Sequence, residues 1–279
     1  MPKENQSVPN YLTLEKKHTD MISKIKSFFA RKVKTAPQTY NPPIKISVIN
    51  ATTVLLDTDI TPVVSALQIQ ASRDFAPVYG IDAKLTQIPK GQTAPAGTWQ
   101  IVLMDTSDVA GALGYHDLTS DGLPISKCFI KTDMDNGAVW SVTVSHEMVE
   151  MMADPWINLT VFVQTTNTAG KLYAYEVADA PEADRYAYLI NGVKVSNFVH
   201  PAWFGVAGSK DKLDHLGLIT TPLALLPGGY ISIFDVTNSA SGWTQVTADK
   251  VIHQHRTNFK HGSRRERRQR GHANWKKSL

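Results

Sequence analysis

From Ile44 onward the apolar residues switch between the two-residue period of strands and the four-residue steps of helices. Residues 45–50 (Lys-Ile-Ser-Val-Ile-Asn) read as a strand, residues 61–76 as a helix that turns Val63, Leu67, Ala71 and Phe75 inward, and residues 83–88 as a second strand. Residues 99–104 (Trp-Gln-Ile-Val-Leu-Met) are nearly all apolar, the composition of a strand covered on both faces. Strand, helix, strand, strand predicts a mixed sheet with a helix across it. Residues 111–126 are rich in Gly, Asp and Ser and read as a loop, and 127–132 as a short edge strand. A buried helix follows, with Val139, Trp140, Val142, Val144, Met148, Val149, Met151 and Met152 around it. Asp154-Pro155 ends it, because the residue before proline disfavours the α region.

Beyond Pro155 the pattern is that of hairpins. Residues 158–166 and 171–177 flank Asn167-Thr-Ala-Gly170, and 186–190 and 193–198 flank Asn191-Gly192, a strong signal for a two-residue turn. Residues 225–235 and 242–247 supply at least two more strands, and the pair Gly228-Gly229 marks a tight turn or a close backbone contact. The fold class expected is α+β: a mixed sheet with a helix carrying candidate chemistry in residues 44–155, then a β-rich part in 156–250. Before them, residues 12–33 repeat Leu14, Met21, Ile22, Ile25, Phe28, Phe29 and Val33 at helical spacing with lysines and arginines on other faces, a basic amphipathic helix. Residues 35–43 hold three prolines and read as a linker.

The net charge of +4 conceals a segregation. Residues 1–43 carry eight Lys/Arg against three acids and residues 250–279 ten against one, so the middle holds 11 bases against 21 acids, or −10. The stretch 261–272 has almost nothing apolar to bury and reads as a disordered basic arm in a tail spanning 251–279. Such arms contact nucleic acid or another polyanion, or fold back on an acidic body. Cys128 is the only cysteine, which excludes an intrachain disulfide and a zinc site built from several cysteines. The start Met-Pro-Lys-Glu-Asn-Gln has no apolar signal core and no run reaches membrane-spanning length, so a cytoplasmic location is expected.

Candidate chemistry concentrates in residues 144–155. His146 and Glu150, four apart, share one helix face and can converge on one metal ion, and Glu147 beside them can take a proton from a water held there. Ionisable groups inside an apolar helix need partners or a metal. A third ligand is not set by the spacing. Asp154 lies about 12 Å from His146 along an unbroken helix, so only the break at Pro155 could fold it back. Glu176, Asp179, Glu182 and Asp184 come next, and Glu176 interrupts an apolar strand, where a lone acid is costly. Asp154 and Glu176 are thus the leading alternatives. His200, in an aromatic loop, reads as a packed residue more readily than as a ligand.

The segment Val-Ser-His-Glu-Met-Val-Glu resembles the metallopeptidase signature His-Glu-x-x-His with Glu150 in place of the second histidine. Together with the order of elements before it, residues 44–155 resemble the zincin family, particularly its metzincin-like branch, and the downstream acid resembles the gluzincin arrangement. More narrowly, Ser-His-Glu-x-x-Glu-x-x-x-Asp-Pro with Ser196-Asn-Phe-Val-His-Pro-Ala-Trp-Phe204 is similar to uncharacterised bacterial and phage-encoded proteins. The resemblance implies Zn²⁺ as cofactor, Glu147 as general base, a peptide or protein substrate, and an edge strand at residues 127–132, or the loop before it, that pairs with an extended peptide. It also implies an alternative, a non-catalytic phage-type structural protein, located in the virion, whose basic arms contact nucleic acid or partner subunits.

Overall fold

The computed structural model describes residues 43–108, 112–205 and 212–249 and the backbone of 252–254. They belong to one compact unit that begins at Tyr40. The basic helix expected in residues 12–33, its linker and most of the basic arm lie outside the described residues.

The first sheet contains β1 (Ile44–Asn50), β2 (Ala83–Ile88), β3 (Trp99–Met104), β4 (Gly114–Leu118) and β5 (Pro124–Phe129) in the order β2-β1-β3-β5-β4. All neighbours are parallel except β4, which runs antiparallel to β5 at the edge. Parallel neighbours need a crossover, and helix α1 (Asp57–Ile69) supplies it between β1 and β2. Gln68 of α1 clamps β2 by donating to the Ala83 carbonyl and accepting from Leu85 N–H, both at 2.8 Å. The inward stripe is as the four-residue steps predict: Val63, Leu67, Ala71 and Phe75 are all buried.

The helix differs from expectation at both ends. It begins at Asp57 because Asp59 accepts the Leu56 N–H, satisfying a donor that the first turn leaves open. It continues through a π-helical stretch, Gln70–Phe75, and α2 (Ala76–Tyr79), and stops at Gly80, whose left-handed φ of 72° suits glycine. In the π stretch the buried Gln70 side chain donates to Ser196 O at 2.9 Å and accepts from Ser145 Oγ at 2.7 Å. Those bonds lock three distant segments together.

Two expectations about residues 111–132 are corrected. The stretch expected to be loop contains β4 and the start of β5. The strand expected at the edge over 127–132 is internal and ends at Phe129, and its last part is helix α3 (Ile130–Asp135). The cause is visible in β4 (Gly-Tyr-His-Asp-Leu): its one fully buried position is His116, so the alternation that announces a strand has a polar residue where an apolar one is expected.

Helix α4 (Trp140–Ala153) lies against β4 and β5 and is buried nearly all round. A second sheet follows, wholly antiparallel, of β6 (Thr160–Gln164), β7 (Gly170–Ala174), β10 (Tyr230–Asp235), β11 (Trp243–Thr247) and β12 (Ile252–Gln254) in the order β12-β11-β10-β7-β6. Between them in sequence stands the hairpin of β8 (Tyr188–Ile190) and β9 (Val193–Val195), turned by Asn191 at φ 50° and Gly192 at φ 84°. The α+β class and the β-rich second half are as predicted. β12 falls inside the tail expected over residues 251–279, ahead of the arm at 261–272. The division expected at residue 155 is not a break in the core, where Ile46, Leu67 and Met148 cluster with Val177, Phe198, Trp203 and Ile231.

Candidate metal centre

His146, Glu147 and Glu150 are presented by α4, which is completely enclosed at Glu150 (0 % exposed) and reaches the surface only slightly at His146 (7 %). Spacing by four brings His146 Nε2 to 3.4 Å from Glu150 Oε2. The third member comes from the chain after β7: Asp179 Oδ1 stands 3.3 Å from the same His146 nitrogen. With metal–ligand bonds of about 2.0–2.2 Å, neighbouring ligand atoms on a tetrahedral ion are about 3.3–3.6 Å apart. The two contacts of His146, with Glu150 and with Asp179, fall in that range, and this buried group can hold a metal ion.

The segment carrying Asp179 is fixed from several sides. Ala178 N–H donates to Glu150 Oε1 at 3.2 Å, so the helix orients the loop that carries Asp179. Val199 N–H bonds the Val177 carbonyl at 2.7 Å, and Leu226 and Tyr230 donate to the carbonyls of Ala180 and Asp179. Gly229 permits that last approach, since a Cβ there would run into the Ala180 carbonyl. The close backbone contact expected of Gly228-Gly229 is this one.

Of the two leading alternatives for a third ligand, the structure brings neither into the group. Asp154 turns away: its Oδ1 and Oδ2 accept the N–H groups of Asn158 and Leu159, each at 3.0 Å, holding the reversal after α4 in which Ile157 adopts a φ of 57°. Glu176 lies just past the end of β7, buried at 4 % exposure, and its charge acts on Asp179 without joining the group. Asp184 accepts Val139 N–H at 2.8 Å ahead of α4, and His200 stacks on Phe198 with ring centroids 5.7 Å apart.

Sequence reasoning missed His116. It is 0 % exposed, and neither ring nitrogen has a hydrogen-bond partner. The β4–β5 register sets it opposite Ser126, whose hydroxyl bonds the Glu147 carbonyl at 3.2 Å. Its Nδ1 faces Glu147 Oε2 at 3.5 Å and Glu150 Oε2 at 3.7 Å, completing a second buried group that can hold a metal ion. Gly114, two residues earlier on β4, lets the strand approach this closely, for a Cβ there would lie 2.8 Å from Glu147 Cγ.

The electrostatics are those of a site short of positive charge. Burial, then the neighbouring Glu150 charge, push the Asp179 carboxyl well above the usual carboxylate range. For His146, burial disfavours the imidazolium, but Glu150, Asp179 and Glu147 outweigh it and raise its pKa well above the ordinary value. No family model matches the chain, and curated proteins and solved structures give no match.

Proposed function

We infer that the protein is a zinc-dependent peptidase of zincin-like design, with His146, Glu150 and Asp179 as ligands and Glu147 as general base. The observation that carries this reading is the convergence of the three ligand atoms, with His146 Nε2 3.4 Å from Glu150 and 3.3 Å from Asp179, at a helix that also offers Glu147. The donor set of one imidazole and two carboxylates suits zinc. Bound there, zinc would polarise a peptide carbonyl and lower the pKa of a water at its open position. Glu147, beside the ligands, would take a proton from the attacking water and return it to the leaving amine. Its carboxylate adjoins β4 at Gly114. The outer side of β4 has no partner strand among the described residues, so an extended peptide can add to the sheet there beside the base. The edge strand expected over residues 127–132 or in the stretch before them is thus β4, which lies in that earlier stretch.

Among the described residues no helix is long and apolar enough to cross a membrane. The test is zinc analysis of the purified protein, followed by hydrolysis of a quenched-fluorescent peptide mixture by wild type and Glu147→Gln. The wild type should cleave, and the variant should keep the zinc held by His146 and lose on the order of 10²-fold or more in rate. A protein that takes up no zinc, or a variant of full activity, rules the reading out and leaves a non-catalytic binding role.

A further inference from the structure

Among the described residues, His116 is the one buried histidine facing the centre that the proposed reaction does not use. A fully buried imidazole with neither nitrogen hydrogen-bonded is expensive. Its Nδ1 points at two glutamate oxygens at 3.5 and 3.7 Å, beyond the usual hydrogen-bond range of about 2.7–3.2 Å. Those separations are near the ones that two ligand atoms of a shared cation keep. The two groups share Glu150 and no other residue, so the histidines belong to two adjoining seats. Glu150 Oε2 lies in both, 3.4 Å from His146 and 3.7 Å from His116.

Carboxylate-bridged sites are a known way to hold two divalent cations about 3.5–4 Å apart, and Glu150 Oε2 is placed to be the bridge.

We propose that His116, Glu147 and Glu150 form a second divalent-cation seat, bridged to the first by Glu150, and that filling it switches the enzyme off by converting Glu147 from base to ligand. The switching role rests on the peptidase reading above, and the existence of the seat does not. A carboxylate oxygen bonded to a cation is a poor proton acceptor, so activity rises with the first equivalent of zinc and falls with the second by on the order of 10²-fold, the usual contribution of a general base.

The experiment is a Zn²⁺ titration of metal-free, full-length protein by calorimetry, with metal content checked by elemental analysis, on wild type, His116→Ala and His146→Ala. Two equivalents are expected in the wild type and one in each variant, with the inhibitory phase absent in His116→Ala. Two equivalents in His116→Ala overturn the second seat. So does a single wild-type equivalent that His146→Ala removes and His116→Ala keeps, as when His116 merely pairs with the glutamates; the peptidase reading then stands. A single equivalent that follows His116 instead upholds the seat and removes the peptidase reading, and no uptake at all removes both. Should His116→Ala not fold, X-ray absorption on wild type loaded with two equivalents decides: a zinc–zinc distance of about 3.5–4 Å is expected, and its absence overturns the proposal.

Discussion

His146 Nε2 and Asp179 Oδ1 stand 3.3 Å apart, one on the helix behind the first sheet and the other on the chain leaving the second. This contact ties the two halves of the fold at the point where a metal would sit. Burial, and then the like charges of Glu150 and Glu176, raise the pKa of Asp179 and make its ionised form a burden on the metal-free protein. Asp179→Asn removes that charge without changing the side chain's size. We expect the variant to lose the zinc held by His146 and keep the equivalent held by His116, and its metal-free form to melt at or above the wild-type temperature at pH 8. Melting curves with and without zinc check both halves, since zinc should raise the melting temperature of the wild type more than that of the variant.

Asp154 gives the opposite result. Both of its oxygens accept backbone N–H groups in the turn after α4, bonds of a charged acceptor that stabilise more than neutral ones. Asp154→Asn turns an NH₂ group toward one of those donors. We expect a loss of about 1–3 kcal/mol in denaturant unfolding, with zinc stoichiometry unchanged. Loss of zinc from a variant that remains folded would make Asp154 a ligand after all.

These two residues show where the sequence was legible. Elements whose buried face is apolar could be read directly: Val63, Leu67, Ala71 and Phe75 marked α1 and its continuation, and Asn191-Gly192 marked a hairpin because both residues must take positive φ. The helical half of the site was legible for the same reason, as spacing by four fixes His146 and Glu150 on one face. The other half depends on contacts between segments remote in sequence. Nothing local separates Asp179 from Glu176 or Asp154; Asp179 is selected by the bonds that Glu150, Val199, Leu226 and Tyr230 make around it. His116 stayed hidden because a buried polar residue in a short Gly-led strand erases the pattern by which strands are recognised. A histidine next to Tyr115 and two residues before Leu118, in an otherwise loop-like stretch, is the one signal that could have marked it.

Asp133 sets a pH dependence on the metal-free fold. It is 0 % exposed, and burial raises its pKa to about 7, against the Thr143 hydrogen bond and with help from the charges of Asp184 and Glu147. A carboxyl whose folded pKa is raised contributes its stability fully below the unfolded value near 4, and that stability is lost as pH rises toward 7. A shift of about three units corresponds to at most about 4 kcal/mol. Asp133→Asn should therefore flatten the profile, making the variant more stable than wild type at pH 8 but not at pH 4. Urea midpoints at pH 4, 6 and 8 test this; parallel curves for the two proteins would show that Asp133 ionises normally.

Gly229 links the second sheet to the candidate metal centre. Its missing side chain lets the chain entering β10 lie on the backbone of Asp179 and Ala180, where Tyr230 N–H reaches the Asp179 carbonyl at 3.1 Å. A methyl group at Gly229 meets backbone atoms that cannot rotate away, so the loop holding Asp179 must move. Overpacking of this kind costs about 1–3 kcal/mol, and here the displacement falls on a ligand whose distance to His146 is set within tenths of an ångström of that needed by zinc. We expect Gly229→Ala to weaken zinc binding at least tenfold and to lower stability even without metal. Gly228→Ala, whose Cβ position is 3.4 Å from its nearest neighbour but whose φ of 101° disfavours a side chain, should lower stability with a smaller effect on zinc. Equal zinc affinity in Gly229→Ala and wild type would mean that the Asp179 loop adjusts freely, or that Asp179 is not a ligand, and the metal content of Asp179→Asn tells those two apart.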